Sequence, residues 1–300
     1  MSKQKKRRLI TIVGPTAIGK TALSIHLANH FSTEIISCDS RQFFKEMTIG
    51  TAVPSDEEMK EIPHHFIQNI SIQESYSVGQ FERDALKKLH ELFKKYDTVI
   101  MVGGSGLYVD AVVKGLDDFP EIDPSIRDVL NSRLKEEGIK NLQQQLKQLD
   151  FESYKTIAVN NPHRLIRALE ICIGTGKTYS SFKNRPKKIR EFESIKVGLS
   201  ANREVIYDRI NLRVDLMINA GLINEAKHLL QFKELNALQT VGYRELFSYF
   251  NGNCTKNEAI EEIKKNTRRF AKRQITWFKK DQTIKWFDYQ TPIDEIISEL

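Results

Sequence analysis

A phosphate-binding loop constrains this chain more than any other stretch. Gly14-Pro15-Thr16-Ala17-Ile18-Gly19-Lys20-Thr21 matches the pattern G-x-x-x-x-G-K-[ST]. It sits between the apolar run Leu9 to Val13 and a helix-like run from Ala22 to Phe31, in which Leu23, Leu27, Ala28 and Phe31 share one face. A strand, a glycine-bent turn and a helix in that order bring successive backbone N–H groups onto an anion at the helix N-terminus. Lys20 adds a point charge, and the Thr21 hydroxyl is the expected ligand of Mg²⁺. A strand feeding such a loop belongs to a parallel α/β sheet.

Further buried strands are expected over Glu34 to Asp39, Asp97 to Gly104, Ser194 to Leu199 and Thr283 to Asp288. In an open α/β sheet, ligands bind at the carboxyl ends of the strands. Topology therefore puts Asp39 near the phosphate loop, although Asp39-Ser40 would equally serve as a turn or helix cap. Gly103-Gly104-Ser105-Gly106-Leu107-Tyr108 closes one strand and opens a helix, where it serves either the turn or a ligand. Residues 41 to 77 carry mixed signals. The adjacent His64 and His65 point to opposite sides of a strand, which favours a structural role over a metal site.

The strand pattern lapses between about 119 and 193, where charged, helical sequence takes over. That divides the chain into a first core part (1–118), a helical insertion (119–193) and a second core part (194–300). In the insertion, Arg164 and Arg167 share a helix face with Glu170 one turn on, an arrangement suited to an ion pair or to nucleic acid. In the second core part, Arg209 and Arg213 lie on one side of a helix. The long helix from Glu258 to Lys280 sets Ile263, Thr267, Phe270, Ala271, Gln274, Trp277 and Phe278 on one face. Its other face carries Lys265, Arg268, Arg269, Lys272, Arg273, Lys279 and Lys280. Charge of one sign repels itself unless a polyanion lies against it.

Composition agrees. Among 300 residues, 46 Lys and Arg stand against 39 Asp and Glu, a formal charge of +7 that suits a polyanionic partner. Cys38, Cys172 and Cys254 are too scattered for a disulfide framework or a zinc site, so a reducing compartment is expected. The basic run Lys3 to Arg8 precedes too short an apolar stretch for a signal peptide, and no window reaches membrane-spanning length. A cytoplasmic protein is the expectation.

Taken together, these motifs resemble the tRNA dimethylallyltransferases, also called tRNA isopentenyltransferases, over Leu9 to about Asp288. The resemblance rests on the phosphate loop, Asp39-Ser40-Arg41-Gln42, Ile49-Gly50-Thr51-Ala52 and Gly103 to Tyr108. It continues through Asn161-Pro162-His163-Arg164-Leu165-Ile166-Arg167-Ala168-Leu169-Glu170, Val241-Gly242-Tyr243-Arg244 and Lys272-Arg273-Gln274-Ile275-Thr276-Trp277-Phe278. The implied fold is α/β, a P-loop NTPase-like parallel sheet core flanked by helices with a helical insertion domain. The implied reaction moves a dimethylallyl group from dimethylallyl diphosphate to N6 of the adenosine 3′ of the anticodon. By resemblance, Gly14, Pro15, Thr16, Ala17, Ile18, Gly19, Lys20, Thr21 and Arg213 hold the diphosphate with Mg²⁺, and Asp39 is the general base. Contact with the anticodon stem-loop of tRNA falls by the same resemblance to Asp39, Ser40, Arg41, Gln42, Ser105, Arg127, His163, Arg164, Leu165, Ile166 and Arg167. It also falls to Thr240, Val241, Gly242, Tyr243, Arg244, Lys272, Arg273, Gln274, Ile275, Thr276, Trp277 and Phe278. Three positions depart from the family pattern: Phe44 replaces an aromatic hydroxyl, Ser105 a threonine and His163 a glutamine.

The chemistry fits these residues. An exocyclic adenine amine becomes acidic only as its new C–N bond forms, so a carboxylate can take its proton in the transition state. Negative charge growing on the departing diphosphate is what the loop N–H groups, Lys20, Arg213 and Mg²⁺ stabilise. The adenine must leave the anticodon-loop stack, with Phe43, Phe44 or Tyr108 as stacking partners. A monomer suffices for this. The rival readings share the loop: an ATP-dependent small-molecule kinase, an isopentenyltransferase acting on free adenine nucleotides, and an RNA-binding NTPase.

Overall fold

The structure, a computed structural model, describes residues 7–183 and 188–300. Most of the basic run Lys3 to Arg8 and part of Lys183 to Arg190 lie outside the described residues. The chain divides into two compact units, one from the sequence up to Lys114 together with Ile189–Leu300, the other Gly115–Lys188.

The larger unit is built on one six-stranded sheet. Its strands are β1 (Arg8–Val13), β2 (Ile35–Ser37), β3 (His64–His65), β4 (Thr98–Val102), β5 (Glu193–Ser200) and β6 (Ile284–Asp288). They lie in the order β3-β2-β4-β1-β5-β6, and each neighbouring pair is parallel. Alternation along β1 explains why helices cover both faces. Leu9 and Val13 enter one apolar layer with Phe81, Ala85 and Leu89 of α3 (Val78–Leu92) and Val109 and Val112 of α4 (Gly106–Lys114). Ile10 and Ile12 enter the other with Leu23 and Leu27 of α1 (Lys20–His30) and Ile206 and Ile210 of α9 (Arg203–Asn219), and Ile296 of α13 (Ile293–Ser298) closes that layer. A third apolar cluster joins α10 (Leu222–His228), α11 (Tyr243–Phe250) and the first turns of α12 (Lys256–Phe278) to Phe44, Met47 and Ile72.

Two elements between β2 and α3 escape the sequence pattern. The acidic run forms α2 (Asp56–Glu61), opened by a capping box between Ser55 and Glu58. The histidines form the two-residue edge strand β3. Among the described residues no cluster of His, Cys, Asp or Glu is suited to a metal. His65 Nε2 instead lies 2.6 Å from Glu34 Oε2, and the Tyr96 hydroxyl donates to Glu34 Oε1 at 3.0 Å. The two bonds hold the Glu34 carboxyl below its usual range against the opposing effect of burial.

The smaller unit is helical: α5 (Pro124–Glu137), α6 (Ile139–Leu149), α7 (Phe151–Thr156) and α8 (Pro162–Thr175). Leu130, Leu142, Leu146, Leu165 and Leu169 form its core. Asp150 ties α7 to the turn after α8, accepting from Ser153 N at 2.9 Å and Ser180 N at 2.7 Å. No helix among the described residues is long and apolar enough to cross a membrane.

Candidate functional site

The phosphate loop follows β1 and ends at α1. Gly14 has φ of 145°, and a side chain there would meet the Leu199 carbonyl oxygen at 2.6 Å, so only glycine fits. Gly19, with φ of 111°, caps α1 without a side-chain bond, and no acidic residue occupies the first turn. The helix N-terminus thereby keeps N–H groups that can receive an anion. Lys20 donates to the Pro15 carbonyl at 2.8 Å. Burial, followed by the charge of Arg213, pulls the Lys20 ammonium down to about 8, with Asp39 opposing the shift.

Helix α9 brings two arginines to the loop. Arg209 Nε donates to the Ala17 carbonyl at 2.7 Å, and Arg213 reaches toward Thr16 Oγ1 at 3.4 Å. From α12, Gln274 closes the loop's other flank. Its Oε1 accepts from Thr16 N at 2.9 Å, and its Nε2 donates to the Gly104 carbonyl at 3.0 Å.

Asp39 follows β2. Its Oδ1 accepts from Arg41 N at 3.1 Å, the turn bond that its position allows, while Oδ2 has no hydrogen-bond partner among the described residues. One oxygen thus orders the turn that the sequence allowed. The turn is held from below by a relay. Asp39 N donates to Ser37 Oγ at 3.4 Å, Ser37 Oγ donates to Gln42 Oε1 at 3.2 Å, and Gln42 Nε2 donates to the Ala52 carbonyl at 2.9 Å. Ser105 Oγ accepts from Ser40 N at 3.1 Å.

Two cavities meet at this point. One, about 400 Å³, is walled by the phosphate loop, Asp39, Arg209 and Arg213, with Ala52, Pro54, Ile67, Leu212 and Leu216 on its apolar sides. The other, about 490 Å³, is lined by Asp39, Ser40, Arg41, Ser105, Tyr108, Thr240, Val241, Gly242, Arg244, Arg273 and Trp277. Thr16, Asp39, Arg213, Phe270 and Gln274 belong to both. An anion-binding pocket with apolar walls and a second, basic and aromatic pocket therefore share one carboxylate.

The family model described as IPP transferase matches residues 42–281. A tRNA dimethylallyltransferase of Flavobacterium johnsoniae is 62% identical over 96% of both chains. The chain belongs to the tRNA dimethylallyltransferase family. Its structure is similar to that of the full-length tRNA isopentenylpyrophosphate transferase of Bacillus halodurans, with TM-score 0.71, 39% identity, and coverage of 98% of this chain and 94% of that one. It is also similar to a eukaryotic dimethylallyltransferase solved acting on tRNA, with TM-score 0.82, 26% identity, and coverage of 95% and 74%.

Several residues that the family resemblance singles out do not line these cavities. Tyr243 is fully buried, its hydroxyl donating to Glu225 Oε1 at 2.6 Å, because its ring fills the space beside Gly50. Phe278 is in the sheet core. Leu165 and Ile166 lie in the core of the helical unit, so their side chains offer no free surface. On that unit Arg127 and Arg167 both pair with Glu170, at 2.6 and 3.2 Å, while His163 and Arg164 are exposed at the start of α8. Of the three proposed stacking aromatics, Phe43 and Phe44 are buried and only Tyr108 lines a cavity.

The basic face of α12 is also narrower than its sequence implies. Arg268 donates to Asn211 Oδ1 at 2.6 Å because α9 packs there, and Lys265 pairs with Glu262 one turn back at 2.9 Å. Arg269 donates to Asn266 Oδ1 at 3.1 Å. Conversely, Phe270 and Trp277 from the apolar face are 37% and 38% exposed, since they face cavities rather than core. Sequence reading overlooked Glu225, Asp110 and the Gln42 relay. Asp110 Oδ2 accepts the Trp277 indole N–H at 3.0 Å. No local pattern distinguishes such carboxylates from solvated ones.

Proposed function

We propose that the chain modifies tRNA by transferring the dimethylallyl group of dimethylallyl diphosphate to N6 of the adenosine 3′-adjacent to the anticodon. The observation carrying this reading is the single carboxylate, Asp39, shared by an anion-binding cavity and a basic, aromatic one. Donor diphosphate lies in the first, with its five-carbon group against Leu212, Leu216 and Phe270. The unstacked adenine enters the second, beside Tyr108 and Trp277.

In the transfer, the bond between the allylic carbon and the diphosphate oxygen breaks as the N6–carbon bond forms. Positive charge grows on N6, whose proton passes to Asp39 Oδ2. Loop N–H groups, Lys20 and Arg213 take up the charge growing on the leaving diphosphate. Family membership implies Mg²⁺, and the donors fit it. The Thr21 hydroxyl lines the cavity and has no hydrogen-bond partner among the described residues, which hold no metal-suited cluster of His, Cys, Asp or Glu there. Such a site suits an ion held largely by substrate phosphates and water. When bound, Mg²⁺ would add charge neutralisation at the diphosphate.

The test supplies unmodified tRNA, free AMP, dimethylallyl diphosphate and ATP in turn and analyses adenines by mass spectrometry. Prenylated adenine in tRNA, formed only with dimethylallyl diphosphate, is the expected product. Consumption of ATP alone, or prenylation of AMP in preference to tRNA, would overturn the reading.

A further inference from the structure

Ala17, in the middle of the phosphate loop, has φ of 64°, in the left-handed region that residues with a side chain avoid. An alanine is disfavoured there about 5- to 30-fold against its ordinary conformations. Such a residue persists only where its surroundings over-determine it. The turn at Ala17 leads the chain from Thr16, at the meeting of the two cavities, to Ile18, which is buried with Leu23, Ile206 and Ile210 in the sheet's second apolar layer.

Side chains hold the loop at three consecutive residues. Lys20 donates to the Pro15 carbonyl, Gln274 accepts from the Thr16 N–H, and Arg209 donates to the Ala17 carbonyl. The Arg209 bond, 2.7 Å from Nε, is the one made at the left-handed residue. Among the described residues no other donor meets that carbonyl. Arg209 is itself seated: its guanidinium carbon lies 5.1 Å from the centre of the Tyr289 ring. Tyr289 N in turn donates to the Ser200 carbonyl at 2.9 Å, so that ring is tied to the carboxyl end of β5. A planar guanidinium laid over an aromatic ring is pre-organised, and its donors hold a fixed direction. One arginine therefore links the strained residue of the loop to the rigid sheet.

Resting on the function proposed above, we infer that Arg209 is a positioning residue, which holds the Ala17 carbonyl and so keeps the phosphate loop in the shape that receives the donor's diphosphate. Loop N–H groups stabilise a leaving group only while they converge on one place. A loop free to abandon the left-handed turn presents that array for part of the time, and its apparent affinity falls by the same fraction.

The test is a double-mutant cycle of Arg209→Ala, Ala17→Gly and their combination, read by calorimetry of inorganic diphosphate. Arg209→Ala should weaken diphosphate binding about 5- to 30-fold. The KM for dimethylallyl diphosphate should rise in step, with no like change in the KM for tRNA. Glycine adopts the left-handed turn without penalty, so Ala17→Gly should restore affinity to the Arg209→Ala protein. Its gain there should exceed its effect in the native background by about threefold or more. A group that merely touched phosphate, or merely supported the fold, could not be replaced by a change in the backbone freedom of Ala17. Unaltered affinity in Arg209→Ala, or independent effects of the two changes, overturns the proposal. So does an equal loss in Arg203→Ala, which removes a charge from the same helix whose guanidinium donates to Tyr207 and not to the loop. These outcomes leave the function standing as long as native protein prenylates tRNA. Absence of prenylated adenine from the native protein overturns the function, and the diphosphate cycle still decides the role of Arg209.

Discussion

Gln274 on α12 and Thr16 in the phosphate loop, 258 positions apart in the chain, are joined by a hydrogen bond of 2.9 Å. The same amide donates to the Gly104 carbonyl, so one buried side chain fixes the loops that follow β1 and β4. It therefore sets where the donor cavity ends and the acceptor cavity begins. Gln274→Ala strands a backbone donor and acceptor and frees the loop to shift. We expect kcat/KM to fall about 10- to 100-fold, as small misplacements of reacting groups do. Gly104→Ala should reproduce the defect, since its new methyl would collide with the Gln274 amide. Steady-state kinetics on tRNA check both.

Asp39→Asn keeps the turn bond to Arg41 N and removes the base. Transfer should slow by about 10²- to 10⁴-fold, the range of general base catalysis, with tRNA affinity changed only a few-fold. Single-turnover rates and a binding titration separate the two effects. Loss of binding in parallel with rate would reassign Asp39 to recognition.

Lys20 gives a pH dependence. Its ammonium, drawn down to about 8, must be charged to hold an anion. Affinity for inorganic diphosphate should therefore fall as pH rises through about 8, and Lys20→Met should flatten that profile. Stability moves the other way. With the folded value below the ordinary 10.5, the unfolded chain binds more protons between these limits. The burial cost is thus full below about pH 8 and is relieved as pH climbs toward 10.5. Calorimetry of diphosphate binding between these limits checks the first claim, and denaturant titrations check the second.

Glu225 gathers Thr48 N, Ile49 N and Gly50 N at 2.8 to 3.1 Å and the Tyr243 hydroxyl at 2.6 Å. It thereby pins the loop whose Thr51 and Ala52 carbonyls hold Gln42 beneath Asp39. Glu225→Ala leaves these donors unpaired and should cost about 2–4 kcal/mol of stability. Tyr243→Phe removes one of the four donors and should cost about 1 kcal/mol. Denaturant unfolding of both variants is the measurement.

Much of the architecture was legible in sequence because it is written in local periodicity. Five of the six strands coincide with runs that the sequence marks out, β1, β2 and β4 being almost wholly buried, and the phosphate loop is contiguous in the chain. The two-residue strand β3 was not legible, for a strand that short has no period to read. The place of Asp39 was half legible: topology brought it to the strand ends, but the turn bond from Arg41 N to its Oδ1 shows only once the chain is folded.

By itself, then, the sequence determined the parallel sheet, the loop, the helical insertion and the family. The tertiary structure alone decided which charges are free. Arg268 is taken by Asn211 and Lys265 by Glu262, while Lys272 and Lys279 have no ion-pair partner among the described residues. It also decided that Tyr243 supports the loop from within while Trp277 faces the acceptor cavity. The reason is physical. Periodicity records which side of a helix meets apolar surroundings, whereas the pairing of a charge or the setting of a ring depends on groups that only folding brings within hydrogen-bonding distance.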